Sequence, residues 1–200
     1  YNNSENVFDR NYNLMPNGGG LIGSAVTTAQ TLSVPKPGSN SIYYIFHMDM
    51  AGPTANNGLY YSEVDMSLNG GFGDVTANKN IQLNTGATAE HLKAITHCNG
   101  QDIWVICHSL LGNTFHAFPV TAAGVGTPVS TSIGAPHPTW TSATSYITCS
   151  PDGSKVAITG DMGGNPSIEL FDFDNLYGTF CNPQYEQIPD FVGGYGLEFS

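Results

Sequence analysis

The chain has 200 residues, five Lys and Arg against sixteen Asp and Glu, and a formal net charge of −11. That length supports one sizeable core. Five scattered cations (Arg10, Lys36, Lys79, Lys93, Lys155) cannot line a nucleic-acid groove or grip an anionic membrane, so neither is expected as a partner. Only 10% of residues are charged while 40% are apolar, 11% are aromatic and 24 are Gly, which excludes a disordered chain and favours a turn-rich all-β protein. The longest apolar runs, Ile42–Phe46 and Ile103–Cys107, are too short to span a bilayer.

In chain order, residues 1–24 carry the turn Met15-Pro16-Asn17-Gly18-Gly19-Gly20 and read as the outer part of one repeat unit; the opening Tyr1-Asn2-Asn3 reads as a mature or trimmed start. Residues 25–84 hold a strand ending at Pro37-Gly38, an apolar strand Ile42–Phe46 and an alternating strand Leu59–Asp65. Residues 88–134 repeat that plan around Asn99-Gly100, and residues 140–188 repeat it around Pro151-Asp152-Gly153. The last two units align at a constant offset of 53, placing Ile103-Trp104-Val105-Ile106 over Val156-Ala157-Ile158-Thr159. The first unit is looser, its offset drifting between about 56 and 62. Residues 193–200 read as the first strand of a further unit. Repeats of this length with about four strands each are the signature of propeller blades. The expected fold is therefore an all-β propeller of four-stranded antiparallel blades, incomplete here, with about three full blades and two partial ones. No stretch keeps a helical period, so helix is expected to be nearly absent.

Ser150-Pro151-Asp152-Gly153-Ser154-Lys155 between apolar strands resembles the blade hairpin of WD40-like propellers of the TolB type. Asp9–Asn13, Val34–Ser39, Ile42–Phe46, Tyr61–Met66, Glu169–Asp174 and Tyr195–Ser200 extend the resemblance across most of the chain. They are similar to the N-terminal propeller of large exported Bacteroidota proteins that end in gliding-motility-associated, type-B sorting domains. The resemblance implies type IX secretion, a secreted or outer-surface location, contact with the secretion machinery during export, and no enzymatic activity.

His97-Cys98 and Cys107-His108 flank one hairpin and suggest zinc. Cys107, however, lies about 20 Å up its strand from the turn, too far for a bond of about 2.3 Å. The same separation forbids a Cys98–Cys107 disulfide, and the pairing of Cys98, Cys107, Cys149 and Cys181 stays open. That register also brings His108 beside His91, a pair expected to be surface packing. Asp172 and Asp174, with Asp49, Asp65 and Asp161, could help bind Ca2+, although Asp at a strand end more often caps its own turn. No other cofactor is indicated. Neither Gly-x-Ser-x-Gly nor His-Glu-x-x-His occurs. Trp140, in the inter-blade stretch Pro136–Trp140, could stack on a sugar ring.

The leading expectation is a non-enzymatic interaction or scaffold module whose loops bind protein or polysaccharide at the cell surface. A propeller hydrolase or lyase acting on glycans or lactones is the alternative, and a glycan-binding module is the second.

Overall fold

The computed structural model describes residues 1–23, 31–48, 58–83, 85–137, 146–161, 166–187 and 196–199. Apart from one 3-10 turn at Asn69–Gly71, the regular structure among them is antiparallel β. A hairpin of β1 (Asn6–Phe8) and β2 (Leu14–Gly19) precedes three larger sheets. The first contains β3 (Leu32–Pro35), β4 (Ile42–Met48), β5 (Leu59–Asp65), β6 (Asp74–Val75) and β7 (Ile81–Gln82). The second contains β8 (Thr88–Thr96), β9 (Ile103–Ser109), β10 (Thr114–Thr121), β11 (Gly124–Val125) and β12 (Val129–Ser132). The third contains β13 (Ile147–Cys149), β14 (Lys155–Asp161), β15 (Pro166–Asp174) and β16 (Thr179–Gln187).

The register reproduces the repeat. Thr96 pairs with Ile103 in the second sheet and Cys149 with Val156 in the third, each 53 positions on. The outer strand departs from a single continuous element in two sheets. β6 and β7 pair with opposite ends of β5, and β11 and β12 divide β10 in the same way. Gly126 and Pro128 interrupt the second of these, because proline cannot donate to a ladder.

The central strands are near-continuous apolar runs because both of their faces are covered. Tyr44, Phe46, Met48 and Leu59 of the first sheet meet Leu92, Val105, Cys107, Phe118 and Val120 of the second. Alternate residues of that second sheet, Ile95, Trp104, Ile106, Phe115 and Ala117, meet Ile147, Val156, Ile158, Phe171, Phe173 and Phe180 of the third. Period-2 alternation thus gives β9 two apolar faces, one for each neighbour. The β1–β2 hairpin covers the remaining face of the first sheet through Val7, Met15 and Leu21 against Ile45, Val64 and Val75. The sheets therefore stack face to face in chain order, and each fully buried Leu, Ile, Val, Met or Phe adds about 1.5–3 kcal/mol.

Trp104 fixes the turn of the third sheet. Its indole N–H donates to the Asn175 carbonyl at 3.0 Å, and the Asn175 side-chain amide donates to the Thr96 carbonyl at 2.8 Å. Gly178 lies against the indole with φ +70, where a Cβ would come within 2.7 Å of the ring. Gly178→Ala is expected to lower stability by about 2–3 kcal/mol, left-handed backbone strain and ring displacement acting together. Gly70→Ala has a similar φ of +64 but open space around it, and is expected to lose only about 1 kcal/mol. Denaturant midpoints of the two variants measure the difference; equal losses would remove the packing role assigned to Trp104.

Candidate functional site

Polar side chains are buried where the second and third sheets meet. His91 on β8, His108 at the end of β9, His137 beyond β12 and Glu169 on β15 are each at most 2% exposed. The ring centroids of His91 and His108 lie 6.2 Å apart, and those of His108 and His137 lie 4.7 Å apart. His137 Nε2 is 3.2 Å from Glu169 Oε2. Phe115 sets its edge against His108 at 4.6 Å and forms the apolar floor.

The backbone explains why these groups converge. The His137 amide donates to the Gly112 carbonyl in the β9–β10 turn, and the Ile133 amide donates to the Asn113 carbonyl. Residues 133–137 are thereby strapped across the end of the second sheet. The strap passes so close to the third sheet that a Cβ on Gly134 would meet Phe171 at 2.8 Å and Glu169 Oε1 at 2.9 Å. The Ala135 amide then donates to Glu169 Oε1 at 2.8 Å. A register irregularity between Thr88 and Leu92 turns the start of β8 and carries His91 into the same space.

Hydrogen bonding orients the key pair. One oxygen of Glu169 is engaged by the Ala135 amide, so the other is left to accept from His137 Nε2. A neutral His137 in that tautomer presents Nδ1 as an acceptor, and no described group bonds to it. A second buried histidine differs. His47 on β4 has Nδ1 2.8 Å from the Ile22 carbonyl and Nε2 3.0 Å from the Ser62 hydroxyl, which itself accepts from the Asn80 amide. Both of its nitrogens are satisfied, so His47 is a structural group. Ser62 and Glu169 occupy equivalent positions on the third strands of their sheets, opposite Ile45 and Ile158. The same strand position thus binds a histidine in both sheets, and in the later one no described group bonds the outer nitrogen.

Burial keeps most of these rings uncharged. His91 is driven down to about 3 by burial and then by the neighbouring His137. His108 falls well below its ordinary value, through burial first and then through His137 and His91, against a raising backbone contact from Ser109. His47 falls to about 4 through burial, the Ile22 carbonyl opposing.

The sequence brought His91 and His108 together correctly but placed the pair at the surface. Both are buried, because the strap and the third sheet close over them. Ser62 and Glu169 both face the interior as hydrogen-bond partners of histidines. Asp172 binds Lys155 Nζ at 2.6 Å and the Asn182 amide at 2.7 Å. Asp174 accepts from the Leu176 and Tyr177 amides, and Asp65 from Ser67. These carboxylates are held in turns and side-chain pairs and do not converge. Among the described residues no group of three or more His, Cys, Asp or Glu is arranged to hold a metal ion. Cys98 is exposed in the β8–β9 hairpin while Cys107 lies buried between the first two sheets, and all four cysteines are free thiols. Trp140 and Asp49 lie outside the described residues.

No family model matches this sequence, and no curated protein matches it. A solved structure, a candidate 6-phosphogluconolactonase from Bacteroides uniformis, superposes with a TM-score of 0.51 over 88% of this chain at 13% identity. The chain spans 49% of that protein's length. At such identity the likeness is one of fold. It nevertheless corrects the expectation of a non-enzymatic module, because the stacked-sheet architecture is shared with a protein described as a lactonase. Glu169 and His137 were the residues that sequence reasoning missed. The available signal was a Glu in a strand core opposite Ile158, and a His between two prolines, Pro136 and Pro138.

Proposed function

We propose that the chain is part of a β-propeller hydrolase that opens lactones, with His137 as general base and Glu169 as the group that orients it. The observation that carries this reading is the buried Glu169–His137 pair, in which no described group bonds Nδ1 of His137. In the proposed reaction, Nδ1 of His137 takes a proton from water as the oxygen attacks the lactone carbonyl. The ring C–O bond then breaks, and the departing alkoxide recovers the proton from His137, leaving a hydroxy acid. His91 and His108, held neutral, add no competing positive charge beside the base. The likeness to the Bacteroides protein supports the substrate class, and sequential stacking of four- and five-stranded antiparallel sheets supports the propeller.

The test is hydrolysis of glucono-δ-lactone by the purified protein, followed by proton release above the buffer rate. Glu169→Gln keeps the size and one acceptor oxygen but reverses the preference at Nε2. It is expected to lower kcat/KM about 100-fold or more. Thermal scans of the same sample separate this from unfolding. A folded protein that hydrolyses no lactone, or a Glu169→Gln variant of undiminished rate, would discard the assignment.

Export is a separate part of the proposal, supported by the motifs that resemble surface propellers of Bacteroidota. Protease treatment of intact cells tests it: digestion of the protein supports display on the outside, and protection until lysis counts against it.

A further inference from the structure

We infer that a cavity between the β1–β2 hairpin and the first sheet binds a small phenol, one uncharged aromatic ring carrying a hydroxyl. This site is separate from the Glu169–His137 pair and independent of the lactone reading. The hairpin covers the first sheet through Val7, Met15 and Leu21 against Ile45, Val64 and Val75. On the side of β3 the cover is incomplete, and a cavity of about 220 Å³ remains. An engineered apolar cavity of about 150 Å³ binds benzene, so this volume suits a single substituted ring.

The walls favour that ring. Met15, Ile45, Val64 and Met66 supply apolar surface that includes two thioethers. Polarizable sulfur meets aromatic edges favourably, and an unbranched thioether adapts to the shape it holds. Both methionines reach over Gly73, where a Cβ would lie 2.8 Å from Met66 Sδ and 3.1 Å from the Met15 methyl carbon. Glycine at that point leaves the two side chains room to shift. Tyr1 and Tyr43, 74% and 39% exposed, add aromatic surface on which a second ring can stack. A charged group would be costly against such walls.

One polar corner specifies the hydroxyl. Asn2 Nδ2 donates to Ser33 Oγ at 3.1 Å, and both residues line the cavity. Asn2 Oδ1 is buried and receives no hydrogen bond from a described group. The Ser33 oxygen that accepts from Asn2 still has its own proton to give. A phenol hydroxyl can take that proton's hydrogen bond and donate its own to Asn2 Oδ1, relieving an oxygen that is unfavourable when buried alone. A plain hydrocarbon ring fills the same space and does neither.

The experiment follows carbon-13 methyl signals of the methionines while the protein is titrated with p-cresol or with toluene. With p-cresol the Met15 and Met66 signals are expected to shift and saturate, with a Kd on the order of 1 mM or tighter. The signal of Met48, fully buried between the first and second sheets, should stay in place and report that the fold is intact. Ser33→Ala, at an exposed position, is expected to weaken p-cresol about three- to tenfold and to leave toluene unchanged. Absence of saturable shifts at Met15 and Met66, a Met48 signal that moves with them, or equal weakening of both ligands by Ser33→Ala would each overturn the inference. Tighter binding of N-acetyltyrosinamide than of p-cresol would overturn it in favour of a tyrosine side chain from a partner protein.

Discussion

Acidification from pH 7 to pH 4.5 is expected to destabilise the fold by up to about 6 kcal/mol through His47 and His91, with His108 acting in the same direction, enough to unfold a domain of ordinary stability. His47 and His91 have pKa values pushed down to about 4 and about 3, and His108 is also well below its ordinary value. In the unfolded chain each returns to about 6.5. A group depressed on folding contributes fully at pH values above its unfolded pKa. As pH falls below about 6.5 the unfolded chain takes up protons that the native state refuses. Each histidine then removes about 1.4 kcal/mol per pH unit until its own folded pKa is reached. The depressed carboxylates of Asp9, Asp65, Asp152 and Asp172 lose stability in the same direction, but below about pH 4, so the histidines dominate the range above it. Urea midpoints between pH 7.5 and 4.5 should fall steeply below pH 6.5, with uptake on unfolding of about two protons from His47 and His91 and a further contribution from His108. His91→Gln should reduce that uptake by about one. A midpoint independent of pH down to 4.5 would show that the rings are not buried as described.

These histidines also mark the boundary of what the sequence discloses. Strands and their turns were legible because each is dictated locally. Gly153 adopts φ +67 in the Pro151-Asp152-Gly153 turn, Asp152 caps that turn through the Ser150 and Ser154 hydroxyls, and the apolar runs Ile42–Phe46 and Ile103–Cys107 lie within the central strands β4 (Ile42–Met48) and β9 (Ile103–Ser109). The adjacency of His91 and His108 followed from hairpin register within one sheet. The meeting of His137 with Glu169 did not, since it joins a connecting strap to the neighbouring sheet, and alternation along β15 says which residues share a face but not which face is covered. The offset between repeats relates equivalent positions; it does not say how far one sheet is rotated against the next. The divided outer strands escaped notice for a related reason: short two-residue pairings such as Gly124–Val125 have no periodicity to detect.

Replacing Phe115 by Ala is expected to lower stability by about 3–5 kcal/mol and to disable the site at the same time. The ring is 1% exposed, stacks on Phe180 at 4.3 Å, meets Phe171 edge-on at 4.9 Å and carries His108 at 4.6 Å. Its loss removes a large apolar area and leaves a void that the surrounding aromatics, each pinned on other contacts, cannot fill by collapse. His108, no longer supported on that side, would lose its fixed place beside His137. Phe118→Ala provides the comparison. That ring is equally buried but belongs to the core between the first and second sheets, on the opposite face of β10. It should lose a similar amount of stability while leaving the rate of lactone opening, measured well below both unfolding temperatures, close to that of the parent protein. If the two variants lose activity equally, the second and third sheets do not form the site by their particular contact. If Phe115→Ala remains as stable as the parent, the aromatic stack is not the joint between them.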